Sequence, residues 1–191
     1  MNSTALILAY IGVVFMVGLA GIASAIGTSI CGQTAVGAMK KNSGAFGSYM
    51  ILSALPGSQG LYGFVGYFMV ASKITADIAM LTAVGIFGAG LLMGIVCLAS
   101  ALMQAKVCAN GIAAIGNGND VMGKTLILAA FPELYAILGV AATFLLAGAI
   151  DPVKLAEAEA EETAKANTEQ TSEKQANEEK ADIDYTEEVT E

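Results

Sequence analysis

The sequence has no histidine, no tryptophan and no arginine, and only 14% of its 191 residues are charged. Without histidine there is no imidazole to serve as a general base or to ligate a metal. A soluble domain carries about 25% charged residues, so a chain this poor in charge is not built for water. Nothing basic is present in quantity to neutralise phosphates, which excludes nucleic acid as a partner. The three cysteines, Cys31, Cys97 and Cys108, are odd in number and far apart in apolar sequence, with no zinc or redox spacing, and read as small packing residues. No glycine-rich phosphate loop is visible, so no motif binds ATP. What charge there is lies unevenly. Residues 1–150 hold three acids (Asp77, Asp120, Glu133) and five lysines, whereas residues 151–191 hold fourteen acids and four lysines. The formal charge of −8 is a property of the tail.

What remains is apolar: 55% of the chain is hydrophobic. Four stretches stand out, at about 5–39, 49–72, 80–115 and 125–150. Each exceeds the roughly 20 residues that cross a bilayer as a helix. The first and third, at 1.5 Å per residue, reach roughly 50 Å against a hydrocarbon core of roughly 30 Å, so they protrude at one end. Short turns join them, Lys40-Lys41-Asn42-Ser43-Gly44 and Gly116-Asn117-Gly118-Asn119-Asp120 among them. The fold class is an all-α membrane protein with four transmembrane helices. The N-terminal run resembles a signal peptide at Ala23-Ser24-Ala25, but no Lys or Arg precedes it and it is too long for a signal core.

The chain also repeats itself. A shift of 76 residues brings Ala23-Ser24-Ala25 onto Ala99-Ser100-Ala101, Pro56 onto Pro132, and Gly12, Gly18, Gly47 and Gly63 onto Gly88, Gly94, Gly123 and Gly139. Two tandem helical hairpins follow: residues 1–76 with helices one and two, residues 77–150 with helices three and four. The acidic tail, 151–191, is expected to be disordered or partly helical. Thirteen of the 27 residues from Gly12 to Ala38 are Gly, Ala or Ser, and Gly21-xxx-Ala25 and Gly90-xxx-Gly94 let helix backbones approach closely. So much small surface on helices one and three implies an inner ring of packed helices. Lys40, Lys41, Lys106 and Lys124 lie at one side and Lys73 at the other, which places the hairpin loops in the cytoplasm and both termini outside.

Glu133 is the one acid within the membrane spans. A carboxylate there costs at least ~2.5–3.5 kcal/mol on insertion scales, so it marks function by default. Its neutral polar company is Ser58, Gln59 and Tyr62 on helix two, just after Pro56-Gly57, and Gln104 on helix three. Pro56 and Pro132 each break a helical turn at similar depth, and irregular backbone is tolerated where it lines a site. A carboxylate, two amide oxygens, a hydroxyl and a freed carbonyl suit Na⁺, a hard cation taking oxygen ligands. A proton needs only the carboxylate, and the two glutamines then serve as its hydrogen-bond partners.

The runs Leu55-Pro56-Gly57-Ser58-Gln59-Gly60-Leu61-Tyr62-Gly63-Phe64-Val65, Gln104-Ala105-Lys106-Val107 and Glu133-Leu134-Tyr135-Ala136-Ile137-Leu138-Gly139 resemble the proteolipid of the membrane ring (the K-type or c-type proteolipid) in V/A-type rotary ATPases, the bacterial Na⁺-translocating members in particular. The resemblance covers roughly residues 8–150. It implies a membrane rotor, not an enzyme by itself, with no cofactor beyond the transported Na⁺ or H⁺. It further implies a homo-oligomeric ring in lipid, a stator subunit supplying an arginine, and a soluble central-stalk subunit at the cytoplasmic loops. The implied Na⁺ ligands are the Leu55 carbonyl, Ser58, Gln59, Gln104 and Glu133, with Tyr62 latching Glu133. Ser58 stands where the best-matching members have Thr. A four-helix multidrug exporter with one membrane glutamate is the competing class. That class calls for aromatic residues around the acid, and this chain is duplicated and lacks Trp.

Overall fold

The computed structural model describes residues 3–151, together with Leu155, Glu157, Glu161, Ala164, Lys165 and Thr168. Among the described residues every element is helical. The first hairpin is α1 (Ser3–Met39), then α2 (Phe46–Ala54) and α3 (Ser58–Ala71), which are joined by a 3₁₀ turn at Leu55–Gly57. The second is α4 (Met80–Gly116) and α5 (Met122–Ala149). α1, α4 and α5 are each long and apolar enough to cross a membrane. α2, the turn and α3, of 9, 3 and 14 residues, make the fourth crossing in two pieces. Large apolar side chains such as Leu61, Phe68, Phe144 and Leu145 remain exposed, as a lipid-facing surface requires.

The break in the second crossing follows from Pro56. Its ring has no N–H to return to the Leu52 carbonyl, so the backbone tightens into one 3₁₀ turn with the Ser58 N–H on the Leu55 carbonyl. Pro132 is expected from the sequence to break helix four in the same way, and it does not: α5 is continuous from Met122 to Ala149. Side chains of α4 brace α5 here: Gln104 Nε2 donates to the Ala129 carbonyl at 3.0 Å and Ser100 Oγ to the carbonyl of Pro132 itself at 2.8 Å. The proline costs the helix one bond, to the Leu128 carbonyl, and the turn around it is tied to the neighbouring helix.

The sequence repeat is also spatial. α1 and α4 run side by side in the same direction, and residues about 76 apart meet. Lys41 Nζ donates to Asn117 Oδ1 at 2.8 Å, and the Gly12 backbone lies against Phe87 and Gly90. A Cβ on Gly90 would overlap the Gly12 carbonyl, so this close approach requires glycine. The hairpin loop after α4 turns through Gly118, whose φ of 89° is left-handed backbone that suits glycine. Two apolar clusters fill the bundle. One joins Met16, Ala20, Ile86, Met93 and Ala136; the other joins Cys31, Tyr49, Leu52, Cys108, Ile112 and Ala129. The polar residues around Glu133 lie between them. At the far end Lys73 and Asp151 pair at 3.1 Å, tying the end of the first hairpin to the end of α5. The acidic tail lies mostly outside the described residues; the six positions described beyond Asp151 are helical, with Lys165 and Glu161 paired at 2.8 Å on an exposed face.

Candidate ion-binding site

Three helices bring the site together. Just after the 3₁₀ turn, α3 presents Ser58, Gln59 and Tyr62; α4 presents Ser100 and Gln104, one turn apart on one face; α5 presents Glu133. Gln59 and Gln104 are wholly buried, and Ser58, Tyr62 and Glu133 half-buried.

The hydrogen bonds fix which way each amide points. Gln104 Nε2 donates to Glu133 Oε2 at 3.0 Å as well as to the Ala129 carbonyl, so its Oε1 turns to Gln59, whose Nε2 donates to it at 2.9 Å. Gln59 Nε2 also donates to Ser100 Oγ at 3.1 Å. Gln59 Oε1 is thereby left facing Ser58 Oγ, 3.2 Å away. Ser58 Oγ is 2.8 Å from Glu133 Oε1 and 3.1 Å from the Leu55 carbonyl. A hydroxyl has one proton for these three oxygens. The shortest approach, to the carboxylate, takes it, and the other two are oxygen-to-oxygen contacts with no proton between them. Tyr62 OH donates to Glu133 Oε1 at 2.8 Å.

Each residue singled out from the sequence thus lies in one network. Gln59 is the one whose place differs from the simplest expectation: it reaches Gln104 and Ser100, not Glu133. Sequence reasoning misses Ser100 as a site residue. It is 4% exposed and joins Gln59 to the Pro132 carbonyl, yet in the sequence it stands out only as the repeat match of Ser24. Its spacing of four from Gln104 is the available signal. Chemically, the set offers a carboxylate that receives three donors, two amide oxygens, a hydroxyl and a main-chain carbonyl beside a broken turn. Among the described residues no cluster of His, Cys, Asp or Glu could hold a metal by itself.

Comparison with known proteins agrees with this architecture. The family model of the ATP synthase C subunit matches twice, at residues 11–70 and 87–146, which are offset by the same 76 residues as the internal repeat. The V-type sodium ATPase subunit K of Enterococcus hirae is 37% identical over 126 residues, covering 66% of this chain and 81% of the relative. The A-type ATP synthase subunit K of Methanocaldococcus jannaschii is 35% identical over 141 residues, covering 74% of this chain and 62% of the relative. Two family repeats in tandem, each a helical hairpin, and relatives of this type along most of the bundle leave one assignment: the chain belongs to the family of the ATP synthase C subunit, as a K-type proteolipid, the ion-carrying and non-catalytic rotor subunit of a V/A-type ATPase.

Proposed function

We propose that the ring carries Na⁺ on Glu133, with Gln104, Gln59, Ser58 and the Leu55 carbonyl completing the oxygen shell and Tyr62 latching the carboxylate. One observation carries this reading: Ser58 Oγ lies within 3.2 Å of Gln59 Oε1, the Leu55 carbonyl and Glu133 Oε1, and its single hydroxyl proton serves only one of the three. A cation set among these oxygens replaces the repulsive contacts with coordination, which a proton on the carboxylate alone does not do. The name of the Enterococcus hirae relative, a sodium ATPase, points the same way.

In operation the bound cation neutralises Glu133 as it travels through lipid, where an unpaired carboxylate is costly. At the stator, the arginine implied by the resemblance competes for the carboxylate and frees the ion. Gln59 remains bonded to Gln104 and to Ser100, so the shell keeps its shape between loads. The loops around Asn42 and Asn119 carry Lys40, Lys41 and Lys124; they face the cytoplasm and seat the central stalk. Turning of the ring couples Na⁺ passage to ATP hydrolysis or synthesis in the soluble part of the complex.

The test is carbodiimide labelling of purified rings across pH, with and without Na⁺. Carbodiimide reacts with the protonated acid, so bound Na⁺ is expected to protect Glu133. Glu133→Gln is expected to leave the ring assembled, abolish labelling and abolish coupled transport. Labelling that follows pH and ignores Na⁺ would assign the same site to H⁺.

A further inference from the structure

The repeat makes each surface of one hairpin comparable with its counterpart 76 positions away. In the first hairpin Ala23 and Gln59 are fully buried where α4 and α5 cover the groove between α1 and α3. Their counterparts Ala99 and Tyr135 are exposed, Tyr135 by 66%. They line an open apolar cleft of about 730 Å³ between α4 and α5, which none of the described residues fills. The opposite edge shows the converse. α4 meets α1 through Gly90 and Gly94, where any Cβ would strike the α1 backbone. Their counterparts Val14 and Gly18 face outward: Val14 is 67% exposed, and Gly18, like Gly21 and Gly32, has no neighbouring atom where a Cβ would stand. Glycine weakens a helix interior relative to alanine, and close backbone approach is one of its uses. The open cleft and the open glycine face are therefore the two halves of the contact that already joins the repeats, and its occupant is a second copy of this chain. One more step of the same kind seats α1 and α3 of that copy on α4 and α5. Such a head-to-tail contact gives a ring on repetition where its rotation closes.

We propose that Tyr135 is the anchor of this contact, its ring docked over Gly57 and its hydroxyl donating to Thr28 Oγ1 of the next copy. Tyr135 occupies the place of Gln59, and the step brings it to the counterparts of Gln104 and Ser100, which are Thr28 and Ser24; Gly57, the counterpart of Glu133, adjoins them. Gly57 leaves free the space that the Glu133 side chain takes in the other repeat. A Cβ at Gly57 would lie 3.6 Å from the Thr28 methyl, so the two residues border one site. Thr28 Oγ1 gives its own proton to the Ser24 carbonyl at 2.8 Å and keeps a lone pair for a donor. The inference rests on the rotor reading for the existence of a ring, and adds the register and the anchor residue.

The experiment uses membranes holding the full chain with its three native cysteines changed to alanine and with Tyr135→Cys and Thr28→Cys introduced together. A bifunctional methanethiosulfonate is expected to give a ladder of linked multimers, absent from either single variant, because a tyrosine hydroxyl bonded across the contact holds the two Cα atoms beyond the reach of a direct disulfide. Tyr135→Phe in the otherwise native chain tests the same contact without cysteines. The temperature at which the detergent-solubilised ring dissociates is expected to shift down, with Na⁺ protection of Glu133 as in the wild type. Absence of the ladder, or an unshifted dissociation temperature in Tyr135→Phe, overturns the proposal. A wild-type chain that forms no ring overturns the rotor reading instead.

Discussion

The two glutamines beside Glu133 have separable tasks. Gln104 gives the carboxylate a donor and also holds the Ala129 carbonyl, whereas Gln59 touches Gln104, Ser100 and Ser58 but not Glu133. Gln59→Ala therefore removes an oxygen without removing a donor to the carboxylate. If the oxygens bind Na⁺, Gln59→Ala and Gln104→Ala each raise the Na⁺ needed for carbodiimide protection tenfold or more, a loss of at least ~1.4 kcal/mol. If the amides only serve the carboxylate, Gln104→Ala shows an effect and Gln59→Ala shows none. At this scale much of the site is legible in the sequence, because Glu133, Gln104, Gln59, Ser58 and Tyr62 are polar in apolar surroundings. Ser100 is not, since a serine among alanines reads as helix packing until its partner carbonyl is seen.

Pro56 and Pro132 occupy the same place in the two repeats and have different consequences. In α5 the α4 side chains hold the carbonyls around Pro132. The α1 counterparts of Ser100 and Gln104 act otherwise: Ser24 Oγ accepts the Gly60 N–H at 2.7 Å, and Thr28 bonds its own helix. There the turn at Leu55–Gly57 is 3₁₀ beside the site, with no α1 side chain bonded to its carbonyls among the described residues. Local sequence does not separate the two prolines, because the donors that brace the turn at Pro132 sit on another helix. Helix lengths, the hairpins and the tight pairing of helices one and three are legible, since lipid selects by length and apolarity and glycine spacing sets close approach. Gly90→Ala tests that pairing. Its Cβ meets the Gly12 backbone rather than a movable side chain, so overpacking costs about 1–3 kcal/mol despite the better helix propensity of alanine. The expected result is a lower yield of assembled ring and a lower dissociation temperature; a ring as stable as the wild type would mean that α1 and α4 do not meet there.

Over the whole molecule the charge is divided between a nearly neutral bundle and an acidic tail, with a break near Asp151. Asp151 itself belongs to the bundle through its pair with Lys73 at 3.1 Å, so truncation after Asp151 removes the tail and keeps that tie. The site lies 18 residues back along α5, roughly 27 Å at 1.5 Å per residue. Charges in water at physiological salt are screened over about 8 Å. What thirteen acids and four lysines per copy can do, multiplied round a ring, is raise the Na⁺ concentration at the membrane face beside them. That enrichment also depends on screening, so its signature is a dependence on ionic strength. The truncated chain is expected to assemble and to show wild-type Na⁺ protection of Glu133 at physiological salt. At low ionic strength it is expected to need more Na⁺ than the full chain. Protection curves for the two chains that coincide at low ionic strength would separate the tail from ion supply altogether. A difference that persists at high salt would mean instead that the tail acts on the bundle through contacts and not through its field.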